Sequence, residues 1–382
     1  MNLSFSLNTH RVYRISVSVF FFIAGLTFST WASRIPDIKN KLHLSEAALG
    51  TVLLALPIGL MASLPIAGWL VSRFGSKRIV INAALLYPLT LTMLGAVSTT
   101  WQLVLVLLFF GLWGNLINIA MNTQAVGVEK LYGKSIMASF HGLWSLAGFT
   151  AAAIGTFFVS AGISPFIHFS IVCIATGGLV LASYKHMIPY DNNNNKAQPL
   201  FAKPDRSILI LGVIAFCCMV CEGAMADWSG VYFQKVVQTS PALITLGYVA
   251  FTGTMATGRF IADRLVTKFG VKHMLQISGA LIATGLMIAV VLPYLVTAIT
   301  GFLFVGFGVS AVVPIVYSQA GKSRTMSPGI ALAAVSTIGF IGFLFGPPMI
   351  GFIAQAANLR WSFALIALLG LGTSMLAGKI KN

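Results

Sequence analysis

The amino-acid sequence predicts an all-α membrane protein, twelve transmembrane helices arranged as two pseudo-symmetric six-helix bundles. Three observations predict it. Hydrophobic residues make up 57% of the 382 and charged residues only 8%, with a mean hydropathy of +0.90. A soluble domain carries roughly 25% charged residues, so most of this surface must face lipid. Apolar runs of about 20 residues, the length that crosses a bilayer, recur along the chain. Finally, a short stretch occurs twice: Ala67–Lys77 reads AGWLVSRFGSK and Ala262–Lys272 reads ADRLVTKFGVK, six of eleven positions being identical at an offset of 195 residues. Gln124-Ala125 recurs at the same offset as Gln319-Ala320. One repeat in an oily chain points to two fused, similar halves, an arrangement typical of secondary transporters.

The first expected span is 11–32. Arg11 and Arg14 at its start precede an apolar run as they would in a secretory signal, but the run is longer than a signal's apolar core and Arg34-Ile35-Pro36 follows, so an uncleaved span is expected. Span two, 46–71, leads into the first copy of the repeat. Spans three and four, 79–97 and 101–125, follow closely, and the fourth carries three asparagines. Spans five and six, 137–160 and 165–184, begin near His141 and His168. The only long polar stretch is 185–206, with Asp191 and four asparagines, Lys196 and Lys203-Pro204-Asp205-Arg206, and is read as a flexible linker. It separates a first bundle, 1–184, from a second, 207–382.

The second bundle opens with span seven, 207–229, followed by span eight, 241–263, which leads into the second copy of the repeat. Spans nine and ten are 274–292 and 295–318; Pro314 is an expected kink in the tenth. Span eleven, 328–353, has a small-residue face at Ser336, Gly339, Phe340 and Gly342, and Gly346-Pro347-Pro348 is expected to break or bend it. Span twelve is 361–378. A β-barrel would need alternating segments of about 10 residues, whereas Ile208–Val220 is continuously apolar.

The net charge of +16 is a topology signal rather than a nucleic-acid footprint. With the N-terminus inside, eighteen of the 24 Lys and Arg fall in inside segments, five (Arg34, Lys39, Lys41, Lys235, Arg360) fall outside, and Arg259 lies within span eight. The positive-inside rule then places both termini in the cytoplasm. Cys173, Cys217, Cys218 and Cys221 all fall inside spans and read as small packing residues. No metal site, cofactor or enzymatic function is expected. The sequence lacks G-x-x-x-x-G-K-[ST], so a single-chain ATP-driven pump is not expected either.

The stretch Gly68, Ser72, Arg73, Gly75, Lys77 and Arg78 between spans two and three resembles the cytoplasmic loop signature of major facilitator superfamily (MFS) transporters. Ser72 stands where that signature has an acid. The second half has Gly258-Arg259, then Asp263, Arg264 and Gly270, with the acid at shifted spacing. A finer resemblance, to a bacterial branch of fucose-permease-like sugar transporters and YbjJ-type inner-membrane proteins, rests on four segments. These are Trp31-Ala32-Ser33-Arg34-Ile35-Pro36, Met121-Asn122-Thr123-Gln124 with Glu129, Phe140-His141-Gly142 with Ser145, and Glu222-Gly223 with Asp227-Trp228-Ser229. The resemblance implies the MFS fold, a central cavity lined by spans one, four, seven and ten, and monomeric function. That branch often uses carboxylates in spans one and four. Here span one has no acid and the span-four position is Asn118, so any proton coupling has moved.

Polar groups at membrane depth need a reason. Asn115, Asn118 and Asn122 share an arc of about 60° on span four, facing either a cavity, where amides suit hydroxyl-bearing solutes, or a neighbouring helix as interhelical glue. A carboxylate in a poorly hydrated site binds a proton more readily than one in water, which makes Glu222 the proton-coupling candidate, with a structural acid as the alternative. Asp227, the second acid of span seven, is the other proton-coupling candidate, and Trp31, Glu222 and Trp228 are expected solute contacts beside the asparagines. Trp31 with Arg34, and Asp227 with Trp228, end spans one and seven pseudo-symmetrically. An Arg34–Asp227 gate at the outer mouth is one expectation and an Arg34 that snorkels to the interface is the other. Tyr317 is a further solute contact and, with Gln319 and its repeat counterpart Gln124, a candidate for the inner gate. Glu129 reads as a surface pair with Lys130 and Lys134.

The function read from the sequence is secondary active transport of a small polar solute, a sugar or related metabolite, across the bacterial inner membrane, with protons as the expected co-substrate. Export of metabolites or toxic compounds is the same-fold alternative. A non-transporting receptor or scaffold is the alternative of another class. The partners expected are the solute and the lipid bilayer, and not nucleic acid.

Overall fold

The computed structural model describes residues 2–133, 136–189, 205–323, 326 and 328–380, with the side chains of 2–9, 138, 263, 328–330 and 333 left aside. The central stretch of the expected linker, 190–204, and the cations Lys134, Lys196, Lys203, Arg324 and Lys381 lie outside the described residues. Among the described residues fourteen α-helices form in chain order: α1 (Asn2–Ser33), α2 (Ile35–Lys41), α3 (Glu46–Leu53), α4 (Ala55–Phe74), α5 (Ser76–Ala96), α6 (Thr100–Tyr132), α7 (Met137–Ser160), α8 (Pro165–Ser183), α9 (Arg206–Tyr232), α10 (Leu246–Phe269), α11 (Val271–Val291), α12 (Leu295–Ala320), α13 (Pro328–Ala356) and α14 (Leu359–Ala377). Among the described residues eleven segments are long and apolar enough to cross a membrane. The remaining expected span, the eighth, coincides with the 24-residue α10.

Local chemistry starts several of these helices. The side chains of Ser45, Ser164, Asp205 and Asn358 accept hydrogen bonds from Ala48, Ile167, Ile208 and Trp361 N–H groups at the starts of α3, α8, α9 and α14, satisfying donors that a first helical turn leaves open. Glu129 does the same for α7 from a distance in sequence. Its Oε2 accepts from the N–H groups of Ile136 (2.8 Å) and Met137 (2.9 Å), where a carboxylate also complements the helix dipole. The cap adds a role to Glu129 beyond the expected surface pair, whose member Lys134 lies outside the described residues.

Two compact units divide the chain: 1–43 with 55–194, and 44–54 with 195–382. Within the first, Phe20, Phe21, Leu107, Phe110, Phe140 and Phe169 are fully buried; within the second, Trp228, Tyr232, Phe233, Phe302 and Phe363 are. The expected second span is interrupted. Leu54 keeps right-handed helical angles but breaks the helical hydrogen-bond pattern, and the short α3 before it belongs to the second unit, lying on α13 with Gly50 against Gly351. The prolines do not end their helices. α12 continues through Pro314 and α13 through Pro347 and Pro348, because a lost N–H is tolerated where neighbouring helices restore the polar balance.

The units repeat one helix crossing. A β-carbon on Gly111 of α6 would collide with the Leu56 carbonyl oxygen of α4, and one on Gly306 of α12 would collide with the Phe251 carbonyl oxygen of α10. Both partners of the second contact are those of the first shifted by 195 residues. Close backbone approach through small residues is how helices pack in lipid, where no hydrophobic force drives them together.

Candidate functional site

Span four is α6, and it separates the three asparagines. Asn115 is 3% exposed. Its Nδ2 donates to Ser63 Oγ (2.7 Å) and to the Leu60 carbonyl (3.3 Å) on α4. At the repeat-related place in the second unit, Ser310 of α12 abuts Gly258 of α10, so this position belongs to the helix seam in both units. Asn118 and Asn122 behave differently. Both are half-buried, and Asn122 Nδ2 donates to Asn118 Oδ1 (3.0 Å) and to the Asn118 carbonyl (2.8 Å). The pair leaves Asn118 Nδ2 as donor and Asn122 Oδ1 as acceptor on one helical face, complementary to a hydroxyl.

Gln124, two residues on, is 1% exposed and fully engaged. It donates to Ser76 Oγ (2.7 Å) and the Ile188 carbonyl (3.0 Å), and its Oε1 accepts from the Ile188 N–H (3.0 Å). It clamps the chain beyond α8 onto α5 and α6. Lys77 adds a bond to the Lys185 carbonyl (3.3 Å).

Trp31 is buried against Phe110 with its Nε1 unpartnered. Arg34 does not snorkel: it is 1% exposed. It donates to the Ile163 carbonyl, lies 3.4 Å from Asp37, and keeps Nη1 without a hydrogen bond. Burial lowers the Arg34 pKa, partly opposed by Asp37; burial raises the Asp37 pKa, partly opposed by Arg34.

In the second unit Glu222 meets a partner that sequence reasoning left unassigned. Arg259 Nη2 of α10 lies 3.4 Å from Glu222 Oε1 of α9, each side chain 16% exposed. The signal was present as the single cation inside a span. A lone intramembrane cation calls for an acid, but which acid depends on how α9 and α10 cross. Asp227 is half-buried further along α9, and Trp228 is fully buried with Nε1 unpartnered. Tyr317 on α12, half-buried, is the repeat counterpart of Asn122. Its hydroxyl lies within reach of Ser336 on α13. Gln319 is half-buried.

The motif residues sit at one end of each unit. Gly68, Ser72, Arg73, Arg78 and Arg264 are exposed, and Ser72 bonds within its own helix to the Trp69 carbonyl (2.9 Å). Arg73 lies over the rings of Trp69 and Phe74, as Lys268 lies over Phe269. The Asp263 side chain lies outside the described residues. Gly75 and Gly270 both take positive φ. Among the described residues no cluster of His, Cys, Asp and Glu is placed to hold a metal ion. A crevice of ≈ 460 Å³ between α1, α7 and α8, lined by residues such as Leu26, Phe158 and Val172, is almost wholly apolar and has nothing to recognise a polar solute.

The sequence model of the Major Facilitator Superfamily matches residues 17–326 and 240–379. The chain belongs to the Major Facilitator Superfamily. It is similar to an uncharacterized MFS-type transporter of Yersinia pestis, 35% identical over 362 residues that cover 93% of this chain and 92% of that one. It is also similar to membrane protein MosC of Rhizobium meliloti, 33% identical over 358 residues that cover 93% and 87%. Among solved structures, the nucleoside transporter NupG has a TM-score of 0.76 at 13% identity, covering 97% of this chain and 100% of that one. A D-xylose-proton symporter has a TM-score of 0.75 at 16% identity, covering 97% and 98%. These likenesses show the MFS fold, and with it a multi-pass membrane protein of a transporter superfamily.

Proposed function

We propose that this MFS protein carries a small polar solute across a bacterial inner membrane by alternating access, as a proton-coupled importer rather than an enzyme. Bundles 1–184 and 207–382 would move about a central site, with both termini in the cytoplasm. The supporting observation is that polar side chains far inside apolar helices stay partly open instead of being sealed: Asn118 with Asn122 on α6, and Glu222 with Arg259 on α9 and α10. A helix-packing role would close such groups, as it closes Asn115 and Gln124. Amide and hydroxyl groups suit a polyhydroxylated metabolite. The fold shared with a D-xylose-proton symporter and a nucleoside transporter supports the same class.

The test is uptake of labelled sugars and sugar derivatives into proteoliposomes with and without an imposed pH gradient. Accumulation that follows the gradient is expected; uptake by the wild type that ignores it rejects coupling. Export is the second reading, favoured by a 22% identical relative, Multidrug resistance protein 2 of Bacillus subtilis. Drug sensitivity of a deletion strain that is restored by the gene would decide for it.

A further inference from the structure

Where α1 meets α2, the first unit buries nitrogens that no protein acceptor satisfies. Arg34 joins the two helices and is 1% exposed. Its Nη2 donates to the Ile163 carbonyl in the turn before α8. Its Nε lies 3.4 Å from Asp37 Oδ2, beyond the ~2.7–2.9 Å of a charge-assisted hydrogen bond. Neither Nε nor Nη1 makes a hydrogen bond. His168 on α8 is fully buried, and neither of its ring nitrogens has a partner.

These side chains form one cluster. A β-carbon on Gly155 of α7 would collide with Ser33 Oγ and lie 3.9 Å from His168 Cε1, so Ser33, the neighbour of Arg34, stands close to the imidazole. Arg34 itself is near enough to act on that ring electrostatically. Phe158 stacks on His168 with ring centroids 4.4 Å apart, and Phe169 lies at 5.8 Å; both exclude water and offer no acceptor. Ser33 Oγ already donates to the Thr30 carbonyl (2.8 Å). Asp37, 37% exposed, connects the cluster to its surroundings.

A buried charge is strongly unfavourable unless it is paired, and a guanidinium cannot shed its proton. Asp37 compensates it at one edge and from a partly solvated position. A trapped water would satisfy the open hydrogen bonds and leave the charge as it is. The local field also favours a negative ligand: residues 34–45 hold Arg34, Lys39 and Lys41 against Asp37. We propose that this cluster binds a small monovalent anion of the halide class, held by Arg34 Nη1 and an N–H of His168. An imidazole carries at least one N–H whatever its charge, so it donates alongside the guanidinium. A spherical ion suits two donors between stacked rings, whereas a phosphate needs more donors and more room. The anion completes the neutralisation of Arg34 and ties the α1–α2 corner to α8. The inference concerns binding and stability, and it stands whether or not the transport reading does.

The test is melting of the purified full-length protein in sodium chloride, sodium bromide and sodium gluconate at equal concentration and fixed pH. A ligand of the folded form raises the melting temperature with its concentration. Chloride and bromide are expected to shift melting upward relative to gluconate, which is too large for the cluster. Arg34→Gln should abolish that difference. His168→Phe, which keeps a ring on Phe158, should abolish it as well. Asp37→Asn removes the competing carboxylate and should lower the halide concentration needed for a given shift. Bromide in crystals should give an anomalous-scattering peak beside Arg34 Nη1. If Arg34→Gln does not fold, the other two variants and the bromide peak carry the test. Equal melting in halide and gluconate assigns the cluster to water and overturns the proposal. A halide shift that survives His168→Phe is a general salt effect and overturns it too, as does bromide density that is absent from the cluster.

Discussion

Gly75 and Gly270 share one backbone conformation, φ 82° and ψ 146° at the first, φ 78° and ψ 162° at the second. Each joins two helices of its unit, α4 to α5 and α10 to α11, and each occupies the same place in the repeated stretch. A side chain rarely adopts this region, at a cost of about 1–3 kcal/mol. Gly75→Ala and Gly270→Ala should each lower the melting temperature of the purified protein, and by similar amounts. A variant that melts like wild type would show that its unit tolerates another turn.

Close approach makes a second prediction. Gly111→Val and Gly306→Val force a side chain onto the facing carbonyl oxygens of Leu56 and Phe251, and overpacking of this kind costs about 1–3 kcal/mol or more. Gly68→Ala, whose β-carbon meets open space, should be neutral or slightly stabilising, because alanine favours a helix by about 0.5–1 kcal/mol. Detergent melting curves of the three variants would separate them.

The asparagines of α6 should split by phenotype. Asn115→Ala removes two interhelical hydrogen bonds in a buried seam and should destabilise by about 1–3 kcal/mol. Asn118→Ala and Asn122→Ala touch half-buried groups that bond only to each other. They should leave melting nearly unchanged and weaken solute uptake. Equal loss of stability in all three would assign them a common packing role.

Glu129 offers a test of helix starting. Glu129→Ala leaves the Ile136 and Met137 N–H groups without their acceptor and should cost about 0.5–2 kcal/mol, the range for losing a helix cap. Glu129→Gln keeps an acceptor oxygen and should retain most of the stability. Faster hydrogen exchange at the start of α7 in the alanine variant alone would confirm the cap.

Membrane character, the approximate placing of the spans and the repeat were legible because they depend on the solvent each segment must meet and on identity at a fixed offset. The repeat extended further than its matching stretches: Leu56 and Phe251 differ as residues, yet against Gly111 and Gly306 they make the same crossing. What a periodicity could not disclose was which side of the helix met a neighbour. Asn115, Asn118 and Asn122 share one narrow arc, but Ser63 and Leu60 on α4 take up the first and leave the other two open.

Composition and order along the chain thus determined that the protein lives in lipid, that its helices are long and apolar, and that its two halves are built alike. Those properties follow from local transfer energies and need no knowledge of neighbours. Tertiary structure alone decided that Arg259 faces Glu222, that Gln124 clamps the Ile188 segment, and that α3 breaks from α4 at Leu54. Such pairings depend on helix crossing angles and rotations, which sum many weak contacts between residues far apart in the chain.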